Sequence, residues 1–120
     1  MSVTGFGHMY VETRSFERSI AFWEALGFSV AETWGEGDHR AGRLTAGDAW
    51  VVLAEAGAGH DPQRCTLHLA MNDPGSLDAR LDSTDAVDVI SPLEETHWGT
   101  RCIRVQDPDG NLYVLEARED

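Results

Sequence analysis

The order of secondary-structure elements constrains this fold most, because the same order occurs twice within 120 residues. In the first half, a strand at 6–12 precedes a helix at 15–26, where apolar residues recur at helical spacing and Gly27 ends the pattern. Three short strands follow, separated by turn-forming residues, at 28–34, 39–46 and 49–55.

The second half repeats this order after a Gly- and Pro-containing loop at 56–64. The pattern predicts a strand at 65–71 and then a helix that Asp73 can cap. The predicted helix and the strands after it are 74–83, 87–90, 101–106 and 111–117. We therefore divide one domain, 1–120, into module 1 (1–56) and module 2 (65–120).

Two such modules predict an α+β fold of the form βαβββ twice over. A helix can cover only one face of each sheet, so the other face must curve around a cavity, a ligand or a second copy of the chain. The segment Asp107–Gly110, DPDG, predicts a type I turn at the tip of the last hairpin, with Pro108 presetting φ and Gly110 tolerating positive φ. We expect curved sheets that form a ligand cleft.

Strand alternation predicts which side chains lie on the uncovered faces. Apolar residues such as Val51, Leu53 and Leu69 mark the core side of their strands. The opposite parity selects these residues: His8, Tyr10, Trp50, Val52, Thr66, His68, Ala70, Leu112, Val114 and Glu116. The open faces are therefore predicted to be aromatic and poor in charge.

The charge of the chain limits its partners. Its 21 acidic and 9 basic residues give a formal net charge of −12. Nucleic acid and anionic membranes would be repelled, whereas a cationic ligand would be attracted, although solubility alone also accounts for this charge. Cys65 and Cys102 lie in predicted strands outside any CxxC pair and are interpreted as buried free thiols. With no signal or membrane-spanning pattern, we expect a cytoplasmic protein.

The runs FERSIAFWEALGF and DPDGNLYVLE resemble the vicinal oxygen chelate superfamily, which spans glyoxalase I, extradiol dioxygenases and bleomycin resistance proteins. The similarity extends over essentially the whole chain. The stretch HWGTRCIRVQDPDGN is most similar to the antibiotic-binding resistance proteins of that superfamily. The resemblance implies the glyoxalase/bleomycin resistance fold and a homodimer in which the first strand and helix can be exchanged between chains.

The resemblance also implies four metal-ligand positions, which here are His8, Val52, Thr66 and Val114. Only His8 among these is a usual ligand, because valine has no donor atom. A register error would make His68 a second ligand, and two histidines still fall short of the usual three-ligand site. We therefore predict a member of the superfamily without a metal or other cofactor.

The same resemblance implies ligand-binding roles. Trp98 matches the Trp of a Trp-Gly pair that stacks on the drug in resistance proteins, and His68 matches a position that lines their cleft. His39 lies near a position that is a cleft aromatic in the bleomycin-binding proteins. The full predicted ligand-binding set is His8, Tyr10, His39, Trp50, Val52, His68, Trp98 and Val114.

The resulting hypothesis is a non-metal protein that sequesters a planar or aromatic, cationic antibiotic. Its partners would be that small molecule and a second copy of the chain, with no nucleic acid and no membrane. The alternative is a metal-dependent lyase or isomerase of the glyoxalase type, or a dioxygenase, with metal on His8 and His68. A third hypothesis is a metal-free enzyme that uses His68 or Glu116 as a base.

Overall fold

The computed structural model describes residues 8–56, 66–97 and 99–118, which form two four-stranded sheets with one helix each. The elements of the first sheet and its helix are β1 Met9–Thr13, α1 Phe16–Ala25, β2 Ser29–Trp34, β3 Ala41–Ala46 and β4 Ala49–Glu55. Those of the second are β5 Leu67–Ala70, α2 Pro74–Asp82, β6 Asp88–Glu95, β7 Thr100–Gln106 and β8 Leu112–Arg118.

Both sheets have the same topology. The strand order is β1-β4-β3-β2 in the first and β5-β8-β7-β6 in the second. In each sheet the strand before the helix pairs parallel with the last strand, and the other neighbours are antiparallel. This architecture confirms the predicted α+β fold of two βαβββ units.

The predicted helices are present, but one predicted cap is wrong. Asp73 occupies the N-cap position of α2, and its side chain makes no capping hydrogen bond. Its φ is 45°, a left-handed conformation, whereas a capping residue, like most residues before proline, is ordinarily extended. Pro74 itself suits the first turn, where no N–H partner is needed. Neither α1 nor α2, the helices of the described ranges, is long and apolar enough to cross a membrane.

The edge strand β6 is longer than predicted and extends to Glu95 rather than residue 90. Its pairing with β7 shifts register between Val89 and Ser91 and again between Ser91 and Glu94. These irregularities bracket Pro92, which cannot donate to a ladder and is tolerated at edges and bulges. Burial still alternates along the strand as far as Leu93, but the outward residue Ile90 is apolar and the inward residue Ser91 is polar, so period-2 patterning of the sequence misses the second half of this strand. The first residues of the predicted strand at 6–12 lie outside the described part of the chain.

The two modules share one hydrophobic core, which lies on the helix-covered faces of both sheets. From α1, Phe22 and Trp23 are fully buried and contact Tyr113 of β8, with ring centroids 5.9 Å and 5.1 Å apart. Core side chains of α2, such as Leu77 and Leu81, join the same cluster. Because both helices pack into this core, the opposite face of each sheet is left open.

Candidate functional site

The face of the first sheet that points away from α1 is here called the first open face; it comprises His8, Tyr10, Arg43, Trp50 and Val52. Neighbouring Val51 and Leu53 are 0% exposed, whereas Trp50 and Val52 are only partly buried. Tyr10 lies opposite Val52 in the parallel β1–β4 ladder and is 60% exposed. The faces predicted from strand alternation are therefore the ones that the structure has.

An aromatic pair dominates the first open face. The imidazole of His8 stacks on the indole of Trp50, with ring centroids 4.0 Å apart and an interplanar angle of 20°. The guanidinium carbon of Arg43 lies 5.8 Å from the centroid of the Trp50 ring, and Arg43 Nε lies 3.1 Å from Glu32 Oε1. The sequence predicts Trp50 as a ligand-binding residue, and in the structure His8 covers one of its ring faces.

The corresponding face of the second sheet, the second open face, carries a row of three side chains across three strands. His68 of β5 lies opposite Val114 of β8, which in turn lies opposite Arg104 of β7. Adjacent strands are about 4.8 Å apart, which places His68 and Arg104 roughly 10 Å apart across an apolar floor. The structure brings the predicted residues His68 and Val114 together.

His68 also belongs to a hydrogen-bonded chain on this face. Its Nδ1 lies 3.0 Å from Glu116 Oε1, and Thr100 Oγ1 donates to Glu116 Oε2 at 2.8 Å. The hydroxyls of Thr100 and Thr96 are 2.8 Å apart. Because a carboxylate only accepts, Nδ1 of His68 carries the proton of this bond, and Nε2 of the neutral ring is left as an acceptor.

Cys102 lies beneath the same carboxylate. Its side chain is buried, and Sγ is 3.7 Å from Glu116 Oε2. Burial is the main cause that raises the pKa of the Cys102 thiol, and the negative charge of Glu116 adds to it. The thiol therefore stays protonated at neutral pH and is a poor nucleophile.

The donor set does not fit the metal site that the resemblance implies. Two of the four implied positions, Val52 and Val114, offer no donor atom. The ring of His8 is stacked on Trp50, and Nδ1 of His68 is engaged by Glu116. Across the described ranges 8–56, 66–97 and 99–118, no three His, Cys, Asp or Glu side chains converge as a metal ion requires.

One predicted ligand-binding residue, His39, is not brought to the open faces. His39 is exposed in the loop before β3, where its backbone N–H donates to the carbonyl of Glu36. Along β3, Ala41 lies about 13 Å from Thr45, which is the partner of Trp50, so His39 is at the far end of the sheet. Trp98 lies outside the described residues, as does Cys65.

Sequence reasoning overlooked three side chains that contribute to these faces: Arg43 on the first, and Thr100 and Arg104 on the second. Thr100 and Arg104 were not singled out, although strand alternation carries the signal. Ile103 and Val105 are fully buried, so the intervening positions of β7 lie on the open side. Thr100 is nonetheless buried, and its hydroxyl donates to Glu116 on the second open face.

A groove of about 720 Å³ lies elsewhere, on the helix side between the modules. Apolar side chains form much of its wall, among them Phe28, Leu69 and Met71, and Arg80 and Asp48 are at its edge. None of the predicted ligand-binding residues that the structure describes lines this groove. The groove therefore belongs to the packing of the two modules and not to the open faces.

Comparison with known proteins gives a consistent family. The model for the Glyoxalase/Bleomycin resistance protein/Dioxygenase superfamily matches residues 5–115. No curated protein matches the chain.

Solved structures are similar in fold over nearly the whole chain. The fosfomycin resistance protein FosX from Listeria monocytogenes has 13% identity and a TM-score of 0.80, covering 98% of this chain and 96% of its own. A glyoxalase/bleomycin resistance protein/dioxygenase domain from Frankia sp. EAN1pec has 17% identity and a TM-score of 0.81, covering 99% and 95%. TioX from Micromonospora sp. ML1 has 17% identity and a TM-score of 0.73, covering 97% and 98%.

Proposed function

Since the chain belongs to the glyoxalase/bleomycin resistance protein/dioxygenase superfamily, we propose that it binds a planar aromatic antibiotic without a metal ion and so sequesters it. The observation that carries this proposal is the stacked pair of His8 and Trp50 on the first open face. FosX, a structure similar in fold, is by name a fosfomycin resistance protein, which supports an antibiotic as the ligand but does not bear on its planar shape.

Binding would extend the existing stack. The His8–Trp50 pair leaves the exposed Tyr10 ring and the Val52 side chain beside it as apolar surface. An additional ring stacked there gains roughly 0.5–1.5 kcal/mol beyond the area that it buries. His68 and Val114 on the second open face, together with Trp98, complete the set that we propose to contact the ligand.

The charge of the ligand follows from that of the protein. A net charge of −12 raises the local concentration of cations around the molecule and speeds their association. We therefore propose a ligand that carries a positive charge besides its planar ring. The buried thiol of Cys102 suits a reducing compartment, and we place the protein in the cytoplasm.

A second copy of the chain would close the site. Large apolar side chains on both open faces stay exposed in the part of one chain that the structure describes, namely Tyr10, Ile90 and Leu112. Small-molecule sites bury most of their ligand, which one curved sheet alone does not achieve. We propose a homodimer in which the two open faces meet across chains, with β1 and α1 as the arm that can be exchanged. Light scattering of the eluting protein should give twice 13.2 kDa, and a monomer mass would contradict this.

The binding proposal is tested by titration with three antibiotics of different shape and charge. Bleomycin and mitomycin C carry planar rings, whereas fosfomycin is a small phosphonate with none. We expect quenching of tryptophan fluorescence and a calorimetric signal with a planar compound and neither with fosfomycin.

The variant Trp50→Ala separates stacking at the open face from non-specific binding. Its affinity for the planar ligand should fall by about 2 kcal/mol, the loss typical of a buried aromatic anchor. Trp34→Ala is the matched control, since Trp34 is also exposed but lies at the end of β2 opposite Ala41. Equal losses in both variants, or none in either, would contradict the proposed site.

A further inference from the structure

We infer that His68, held by Glu116, is a general base that removes a proton from a planar carbon acid bound on the second open face. This inference goes beyond sequestration, because it assigns the protein a proton-transfer reaction. It rests on the proposed function only for the planar shape of the substrate. The geometry of the hydrogen-bonded chain on the second open face supports it.

The tautomer of His68 leaves one ring nitrogen able to accept a proton. Nδ1 is 3.0 Å from Glu116 Oε1, so the proton of the neutral ring resides on Nδ1 and the lone pair is on Nε2. His68 has a side-chain exposure of 52%, so a substrate can reach the ring. A carboxylate that orients a histidine and stabilises the imidazolium formed on proton transfer is the arrangement that general-base catalysis requires.

The carboxylate of Glu116 is itself held in place. Its second oxygen accepts a hydrogen bond from Thr100 Oγ1 at 2.8 Å, and the Thr100 hydroxyl is 2.8 Å from that of Thr96. The side chain of Glu116 is only 21% exposed. With Oε2 held by Thr100, Oε1 is the carboxylate oxygen that orients His68.

Arg104 supplies the complementary charge. It lies on the same row as His68, one strand beyond Val114, and its side chain is exposed. It forms no ion pair with any other residue of the described ranges. Val114 itself is buried, so a substrate would be held between the two flanking side chains, with its reactive C–H at His68 and its developing negative charge at the guanidinium.

The reaction needs no further reactant. The C–H bond next to a carbonyl breaks, the proton moves to Nε2 of His68, and the electron pair moves onto the carbonyl oxygen beside Arg104. The imidazolium, paired with Glu116, then returns the proton to another carbon of the conjugated system. Substrate and product are isomers, and no electrons are gained or lost.

A nitrobenzisoxazole is the probe, because it is planar and needs only a base. When a base removes its ring-carbon proton, the C–H electron pair becomes part of a nitrile triple bond. The N–O bond breaks, and a coloured phenolate forms. Initial rates are measured for the full-length protein and for free imidazole at the same concentration. Circular dichroism and melting temperature check that every variant is folded.

We expect the protein to exceed free imidazole by more than about 100-fold and His68→Ala to lose that advantage, since a positioned base contributes about 10²–10⁴-fold. Glu116→Gln keeps an acceptor oxygen but removes the charge, so kcat should fall about tenfold with KM unchanged. Glu24→Gln, a charge change on the exposed side of α1, should match the wild type. Substrate deuterated at the reacting carbon should slow the wild type.

Two outcomes overturn the inference: a wild-type rate equal to that of free imidazole, or an undiminished rate in folded His68→Ala. The proposed function is judged separately by the antibiotic titration. Binding of a planar antibiotic without proton transfer from the probe would remove the catalytic role and leave sequestration intact. Proton transfer without antibiotic binding would support the catalytic role of His68 and contradict sequestration.

Discussion

The carboxylate of Asp109 accepts a hydrogen bond from the backbone N–H of Arg14 at 2.8 Å, across 95 positions of sequence. The same carboxylate accepts a longer bond from Ser19 Oγ at 3.4 Å, and its side chain is only 2% exposed. Asp109 belongs to the DPDG turn of the last hairpin, whereas Arg14 and Ser19 lie at the start of α1. The turn of the second module therefore forms hydrogen bonds to the first module, in addition to closing its own hairpin.

Asp109→Ala should destabilise the protein by about 2 kcal/mol, because it leaves two donors of the first module without their acceptor. Asp109→Asn keeps an acceptor oxygen and should cost about half as much. Urea unfolding of both variants measures the difference.

Asp85→Ala is the control for this pair, since Asp85 is an exposed carboxylate in a loop of the second module. Its free energy of unfolding should stay within about 0.5 kcal/mol of the wild type. If Asp109→Ala changed the free energy of unfolding as little as Asp85→Ala, the contact with Arg14 would not hold the modules together.

Tyr113 should make the fold sensitive to alkali. Burial, and then the nearby carboxylate of Asp107, raise the pKa of Tyr113 well above its ordinary value near 10. The stabilising contribution is thus fully present below pH 10 and is lost as the pH rises from there toward the folded pKa, by about 1.4 kcal/mol per pH unit. Tyr113→Phe should remove this slope while losing about 1 kcal/mol at pH 7, because Tyr113 Oη donates to Asp107 Oδ2 at 3.2 Å.

Free energies of unfolding measured between pH 8 and pH 11 distinguish these expectations. Tyr10→Phe is the matched control, since Tyr10 is 60% exposed on the first open face. Parallel curves for the wild type and Tyr113→Phe would show that another group governs the alkaline loss.

Much of the fold was predictable, because local signals and tertiary packing agree. The repeated element order, the α+β class and the turn at Asp107–Gly110 are all confirmed: Gly110 has a φ of 89°, and its N–H donates to the carbonyl of Asp107. Predictability ended in β6, where Ile90 and Ser91 depart from an apolar-inward pattern and two register shifts interrupt the pairing with β7. It ended again at Asp73, whose left-handed backbone replaces the extended conformation that a capping side chain needs.

The open faces were predictable to the level of single side chains, but their interactions were not. Alternation placed Trp50 and His68 on these faces, as the structure does. It carried no information on whether a neighbour covers a ring, so the stack of His8 on Trp50 was missed. The bond between His68 and Glu116 depends on the register of β5 against β8, which one sequence does not specify.

The ion pairs of Arg40 should make the stability of the fold depend on pH in the acid range. Its guanidinium contacts both oxygens of Glu55, at 2.9 Å and 3.1 Å, and also pairs with Glu17. Hydrogen bonding to Arg40 is the main cause that lowers the pKa of Glu55 below the ordinary value of 4.5. A lowered carboxyl pKa stabilises the fold above pH 4.5, and this contribution is lost as the pH falls through the lowered value.

Glu55→Gln should therefore be less stable than the wild type at pH 7, and the difference should shrink below pH 4.5. Melting temperatures at pH 7, 5, 4 and 3 measure the convergence. Glu36→Gln, on the exposed loop before β3, should follow the wild type at every pH. A gap between Glu55→Gln and the wild type that persists at pH 3 would assign the effect to packing and not to charge.

The protein should hold no tightly bound transition metal. Val52 and Val114 stand at two of the four positions that carry ligands in metal-dependent members of the superfamily, and valine cannot coordinate. The candidates that are left are His8, whose ring stacks on Trp50, and His68, which has only Nε2 left to coordinate. Two imidazoles without a third ligand hold Zn²⁺, Ni²⁺ or Fe²⁺ poorly against water. Elemental analysis after dialysis against a weak chelator should find far less than one such ion per chain, and the melting temperature should not rise when any of them is added. One equivalent of metal that disappears in His8→Ala would contradict this expectation and would favour a glyoxalase-type enzyme over sequestration.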